Sequence, residues 1–333
     1  MVLTLDFLAE DLAQTRLACS PLWETVESLR MRQDPAAFAV HEEWVRVSEE
    51  RLRGFDFSAL LELVPPVGYI PDFLTPPPQV PLPSIADELA ELEATPAAQV
   101  RADLADRFGP EAAAPEHVRR WLARPAEARD HIVGLLREYW ERAVAPDWPR
   151  IRALHEAELE SRARQQARKG TGQLLGDLHP AIAWRAGTLR VRGRRAGRVA
   201  LGGRGLVVIS SVFVWPLACS MVAPPWQPAL VYPPRGVGGL WAPEPRDGAV
   251  ALEALLGRTR AAVLRRLAAP CTTTDLARDL DLTAGAVSLH LTVMHQAGLL
   301  VRHRAGRSVL YGLGAVGEAL LSSSRAAPAP PEG

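Results

Sequence analysis

The sequence predicts an α+β chain: a mostly helical N-terminal region, a small β-rich middle, and a C-terminal pair of short helices followed by a hairpin. Apolar residues recur at helical spacing up to about residue 180, alternate with charged ones after Pro180, and return to helical spacing after residue 250. With 333 residues, 48% hydrophobic and 23% charged, the chain has room for two or three cores and is too apolar for wholesale disorder. The expected units are a helical 1–180 of unassigned role, with sensing or regulation open to it, a β-rich 181–247, a two-helix-and-hairpin 248–324, and a disordered tail 325–333.

The first 64 residues read as helices. Ser20 and Pro21 supply a cap and a first-turn proline ahead of Leu22, Trp23, Val26 and Leu29. His41–Leu52 sets Trp44, Val45 and Leu52 among charges, again a helical stripe. Eight prolines in 65–83 forbid helix or central strand and predict a stiff connection along the surface. Ser84 with Asp87 predicts a capping box opening further helices, the last of them long, over Pro149–Lys169, and stopped at Gly170-Thr171-Gly172. Thr188–Arg192 then alternates as a half-exposed strand, Gly193–Gly197 is a turn, and Val199-Ala200-Leu201 a return strand. Leu206–Trp215 is a buried strand, and Trp226–Trp241 is extended and turn-rich. The uncharged run Gly205–Pro234 is broken by Pro216, Pro224, Pro225 and Pro228. Its apolar core before Pro216 falls short of the ~20 residues a membrane span needs, so no membrane partner is expected.

Charge is divided by position. Residues 1–180 hold 30 acids and 20 bases, residues 181–333 only 8 acids against 18 bases, which marks the second half as the anion-binding end. All but one of the bases are arginine, a bias that a GC-rich genome explains without DNA binding. Cys19, Cys219 and Cys271 lie too far apart for a disulfide framework, and the N-terminus lacks the basic run of a secretory signal. A cytoplasmic location is expected.

Residues 250–315 are the most informative. Ala251–Leu267 reads as one helix ended by Pro270; Thr274 caps a short helix, Asp275–Leu280; Asp281-Leu282-Thr283 turns; and a second helix runs from Ala284 to about Gln296, stopped by Gly298. Two short helices so joined form a helix-turn-helix, whose second helix can enter the major groove. Leu299–Arg304 and Ser308–Tyr311 around Ala305-Gly306-Arg307 form a β-hairpin with basic residues near its tip. This order is a winged helix-turn-helix. The segments LGRTRAAVLRRLA and TTTDLARDLDLTAGAVSLHLTVMHQAGLLVRHRAGRSVLYGL resemble the ArsR/SmtB family of bacterial repressors. Val287-Ser288, His290-Leu291, Ala297-Gly298-Leu299, Gly306-Arg307 and Tyr311 are its most diagnostic pieces. The likeness covers about 65 residues. The upstream part, with SPLWE and VFVWP, resembles the N-terminal region of some actinobacterial regulators of this type.

The resemblance implies a sequence-specific repressor on a double-stranded DNA operator, acting as a homodimer, with a small-molecule effector as a further partner. With Val287 at zero, Leu291 and Met294 fall at about 40° and 340° and face inward, whereas Gly285, Ser288, Leu289, Thr292 and Gln296 face outward. The expected DNA contacts are Thr283, Ala284, Gly285, Ser288, Leu289, His290 and Thr292 in the recognition helix. Those of the wing, about 299–313, are Arg302, Arg304 and Arg307. His290, on the flank, reads first as a packed structural histidine and second as a phosphate contact, whereas the wing arginines read first as DNA contacts and second as a charged hairpin edge. Metal-sensing relatives carry thiolates where Thr272 and Thr274 stand here, and Cys271 is alone and out of register, so no metal or other cofactor is expected. The ribbon Arg185–Arg204, seven arginines and no acid, is either an accessory anion-binding surface or a hairpin face paired with the acidic N-terminal region. No phosphate loop, dinucleotide fingerprint, zinc-protease helix or Gly-x-Ser-x-Gly elbow occurs, and no enzyme is expected. Two other readings stand beside this one. In a small-molecule sensor with secondary DNA contacts the wing would lack its arginines; an enzyme fused to a regulator would carry a catalytic constellation before residue 180.

Overall fold

Val2-Leu3-Thr4-Leu5-Asp6 buries Leu3 and Leu5 and leaves the residues between them at the surface, the period of a strand covered on one side. The computed structural model describes residues 1–109, 114–193, 196–242, 248–305 and 308–324. In it this segment is strand β1 (Val2–Asp6), and Arg16–Cys19 is strand β2. Both correct the expectation of helix through the first twenty residues. Their partners lie in the second half of the chain, so no local pairing signal exists. Strands β3 (Ile182–Arg185), β4 (Thr188–Arg192) and β5 (Gly197–Ala200) join β1 in the order β3-β4-β1-β5. Strands β6 (Val207–Ser210), β7 (Cys219–Met221) and β8 (Ala229–Tyr232) join β2 in the order β2-β6-β8-β7. The expected hairpin of Thr188–Arg192 with Val199–Leu201 does not form, because β1 inserts between β4 and β5. The hairpin is instead β3–β4. Its turn, Ala186-Gly187, has φ of +48° and +77°, the two left-handed residues a type I′ turn requires.

The chain forms two compact units, Met1–Trp241 and Ala242–Gly333. The boundary expected near residue 180 therefore runs through the first unit, since each of its sheets borrows a strand from the N-terminus. Helix Pro21–Arg32 starts as predicted: the Ser20 hydroxyl accepts from the Trp23 amide at 2.9 Å and Pro21 occupies the first turn. The proline-rich stretch departs from expectation. Phe73 through Pro78 is buried rather than spread on the surface. Proline brings no amide hydrogen to satisfy, and its carbonyls find donors: the Trp23 indole at Pro76 and the Arg16 guanidinium at Pro78. The long helix spans Trp148–Lys169 and ends at Gly170, whose φ is +79°. Among the described residues no helix is long and apolar enough to cross a membrane.

Glu88, 1% exposed, accepts from the Leu22 amide at 2.8 Å through one oxygen, while the other has no partner among the described residues. Burial pushes its carboxyl up to about 8 from 4.5. A raised acid is protonated in the fold, so its contribution is complete below pH 4.5 and is lost as pH rises through 8. Glu88→Gln should therefore gain more stability at pH 8 than at pH 5, by on the order of 3 kcal/mol. Denaturant midpoints at the two pH values check this; equal gains would show that Glu88 ionises freely.

In the second unit the single helix expected over Ala251–Leu267 is two, Gly248–Leu256 and Arg258–Arg266. They divide at Gly257, whose φ of +82° no continuous helix permits. Leu252, Leu264, Leu276, Val287, Leu291, Met294 and Leu321 build one core with the sheet below them.

Candidate nucleic-acid interface

The first helix of the motif, Thr273–Asp279, is capped by Thr272 rather than Thr274. The Thr272 hydroxyl accepts from the Asp275 amide at 3.2 Å, and the Asp275 carboxylate accepts from the Thr272 amide at 3.1 Å. The threonine at the thiolate position thus closes a helix end, and Cys271 beside it is 5% exposed, its thiol pushed up by burial. Asp281, at φ +53°, makes the turn: the Leu282 amide donates to Ala277 at 2.9 Å and the Asp281 amide to Arg278 at 3.4 Å, the paired bonds of a Schellman motif. Arg266 clamps this helix through Asp279 at 2.7 Å.

Helix Ala284–Gln296 follows, within the predicted bounds. Thr283 caps it, accepting from the Ala286 amide at 3.2 Å. Gly298, at φ +75°, ends it with a second Schellman pair, Leu299 to Met294 at 2.9 Å and Gly298 to His295 at 3.0 Å. Val287, Leu291 and Met294 are buried, as the wheel requires. Thr283, Ala284, Gly285, Ser288, Leu289 and Thr292 form one exposed face, and Leu289 is 66% exposed. Open space lies over Gly285. Thr292 gives its hydroxyl to the Ser288 carbonyl at 2.8 Å, so its methyl is the part presented outward. His290 is half-buried on the flank. The face carries no acidic side chain.

The wing is a three-stranded antiparallel sheet, β10 (Leu300–Ala305), β11 (Ser308–Leu313) and β9 (Cys271–Thr272), in the order β10-β11-β9. Ala305 and Ser308 are the last pair of the ladder. Arg302 and Arg304, two apart on β10, are both exposed. Arg307 and the Gly306 beside it lie outside the described residues, as does the tail 325–333. In the arginine ribbon, Arg190 and Arg192 stand exposed on β4, while Arg198 pairs with Asp6 at 2.6 Å.

Sequence reasoning missed a buried cluster in Met1–Trp241 where SPLWE and VFVWP meet. The Glu24 carboxylate accepts four bonds: His155 Nε2 at 2.7 Å, the Ser211 hydroxyl at 2.9 Å, and the Val212 and Phe213 amides at 2.6 and 3.2 Å. His155 Nδ1 then accepts from the Ser210 hydroxyl at 2.9 Å. This is a Ser-His-Glu relay in connectivity, but Glu24, His155, Ser210 and Ser211 are all at 0% exposure. The cluster fastens helix Pro21–Arg32 and helix Trp148–Lys169 to the end of β6.

Residues 255–303 match a helix-turn-helix domain, and residues 97–237 match a family of unknown function, DUF5937. No curated protein and no solved structure matches the chain. The C-terminal unit is thus a helix-turn-helix DNA-binding domain, and it places the chain among transcription regulators.

Proposed function

We propose that the chain is a dimeric, sequence-specific repressor of the ArsR type, acting in the cytoplasm on a double-stranded operator. Helix Ala284–Gln296 enters the major groove with Ser288, Leu289 and Thr292 toward base edges, and Thr283, Ala284 and Gly285 close to the backbone. His290 touches the groove wall, and Arg302, Arg304 and Arg307 meet phosphates or the minor groove. The observation that carries this reading is the exposed, acid-free, small-residue face of a helix locked at both ends, beside two exposed arginines on one strand. Met1–Trp241 is the part that senses an effector.

Binding isotherms across a salt series test it. Arg302→Ala with Arg304→Ala should weaken binding to operator and random DNA alike and reduce the salt slope by about 0.9 for each phosphate no longer neutralised. Ser288→Ala and Leu289→Ala should instead change the preferred sequence, each by roughly 1–3 kcal/mol at one base pair. An unchanged slope in the arginine variants, together with equal weakening on both DNAs by Ser288→Ala and Leu289→Ala, would remove this surface from the interface.

A further inference from the structure

In Met1–Trp241 a cleft of about 720 Å³ opens between the last turns of helix Trp148–Lys169, the segment Gly176–Ile182, and Arg235 beyond β8. Small-molecule sites occupy about 300–1,000 Å³, so the space suits a metabolite. Its walls are cationic: Arg162, Arg164, Arg168, Lys169 and Arg235 line it, against one carboxylate, Asp177, among the described residues.

What matters is how many of these charges the protein already answers. Glu158, 3% exposed, takes Arg162 at 2.6 Å and must also serve Arg235 at 3.4 Å, two guanidinium groups on one carboxylate. Glu160 answers Arg164 at 3.3 Å. Arg168 and Lys169 form no ion pair among the described residues. Asp177 accepts from Gln165 at 2.7 Å, which leaves its other oxygen for a hydroxyl donor. Leu178 and Ile182, both buried, supply an apolar floor. Basic residues closing a helix also offset its macrodipole, which accounts for Arg168 and Lys169. It does not account for Arg235, which comes from a different element and lines the same space. Nor does it account for Arg162, held at 3% exposure by Glu158, Gln165 and the Asp177 carbonyl. Cations left with surplus charge around a guanidinium that is itself held in place are an arrangement that recognises phosphate.

We propose that this cleft binds a small phosphomonoester carrying hydroxyl groups, its phosphate on Arg168, Lys169 and Arg235 and a hydroxyl on Asp177. All of its lining falls within residues 97–237, the segment matching DUF5937. As the site of an effector it rests on the reading of Met1–Trp241 as the sensing part; as a binding site it does not.

Titration calorimetry of the full chain with inorganic phosphate, ribose 5-phosphate, AMP and unphosphorylated ribose tests the proposal. Ribose 5-phosphate or AMP should bind, and the preferred one tells a bare sugar phosphate from a nucleotide; ribose should not bind. Arg168→Gln with Lys169→Gln, both exposed positions, should weaken binding at least tenfold while lowering the melting temperature only by the small loss of the helix-end charges, with the fold retained by circular dichroism. Asp177→Asn should weaken the hydroxylated phosphates and spare inorganic phosphate. Absence of binding by all three phosphates at millimolar concentration, or affinity unchanged in the double variant, would overturn the site. Binding that leaves operator affinity unaltered would support the site and overturn the sensing role.

Discussion

Glu24→Ala should destabilise the Met1–Trp241 unit by about 3–5 kcal/mol, the cost of removing one partner from a buried charged network. The carboxylate fills its acceptor positions with His155, Ser211 and two backbone amides, all sealed from water. Alanine strands the Val212 and Phe213 amides, the Ser211 hydroxyl and the His155 ring together, and each unsatisfied donor costs about 1–3 kcal/mol when water cannot reach it. Ser210→Ala should cost less, since only His155 Nδ1 loses its donor. Urea unfolding followed by tryptophan fluorescence measures the series, because Trp23 and Trp148 flank the cluster on its two helices. A destabilisation under about 1 kcal/mol for Glu24→Ala would mean that solvent enters the cluster.

That cluster also marks the limit of what the sequence discloses. The helix-turn-helix is legible because its determinants are local: Thr283 three residues before its hydrogen-bond partner, Gly298 directly after the last turn, and Val287, Leu291 and Met294 at helical spacing. The same local reasoning fails where two solutions compete. A glycine inside an apolar helical pattern is tolerated or terminal, and only the φ of Gly257 decides for termination. Thr272 and Thr274 are equally good caps by type, and Asp275, three residues after Thr272, makes the difference. Nothing local couples β1 to β4 and β5, or Glu24 to His155, since those partners are distant in sequence and meet only in the folded unit. Prolines suggest an exposed linker because they break ladders, yet a segment without amide hydrogens is also cheap to bury. The cleft near Arg168 is hidden for the same reason: its walls come from separate elements, and an arginine-rich composition masks any particular arginine.

Leu255→Glu should convert the proposed dimer to a monomer and weaken operator binding by about 100-fold or more, with the fold retained. The start of helix Gly248–Leu256 meets the end of helix Ala315–Ser323 within one copy: a Cβ at Gly248 would lie 2.6 Å from the Ser324 carbonyl oxygen. Leu252 and Leu321 face the core, at 4% and 7% exposure. The opposite side is also apolar, with Val250, Leu255 and Val316 at 60%, 69% and 54%. Helices apolar on both sides mark an association surface more often than a solvated one. A two-fold pairing would cover that side and present two recognition helices to half-sites spaced by about 34–36 Å or a multiple of it. On the last helix, Leu320 packs partly against the core, so a charge there would mix unfolding with dissociation; Leu255, outside the core, separates them. Sedimentation at micromolar concentration reads the association, circular dichroism the fold, and operator titration the affinity. A wild-type monomer protecting one unrepeated site would overturn the dimer, and a Leu255→Glu chain that still sediments as a dimer would place its interface elsewhere.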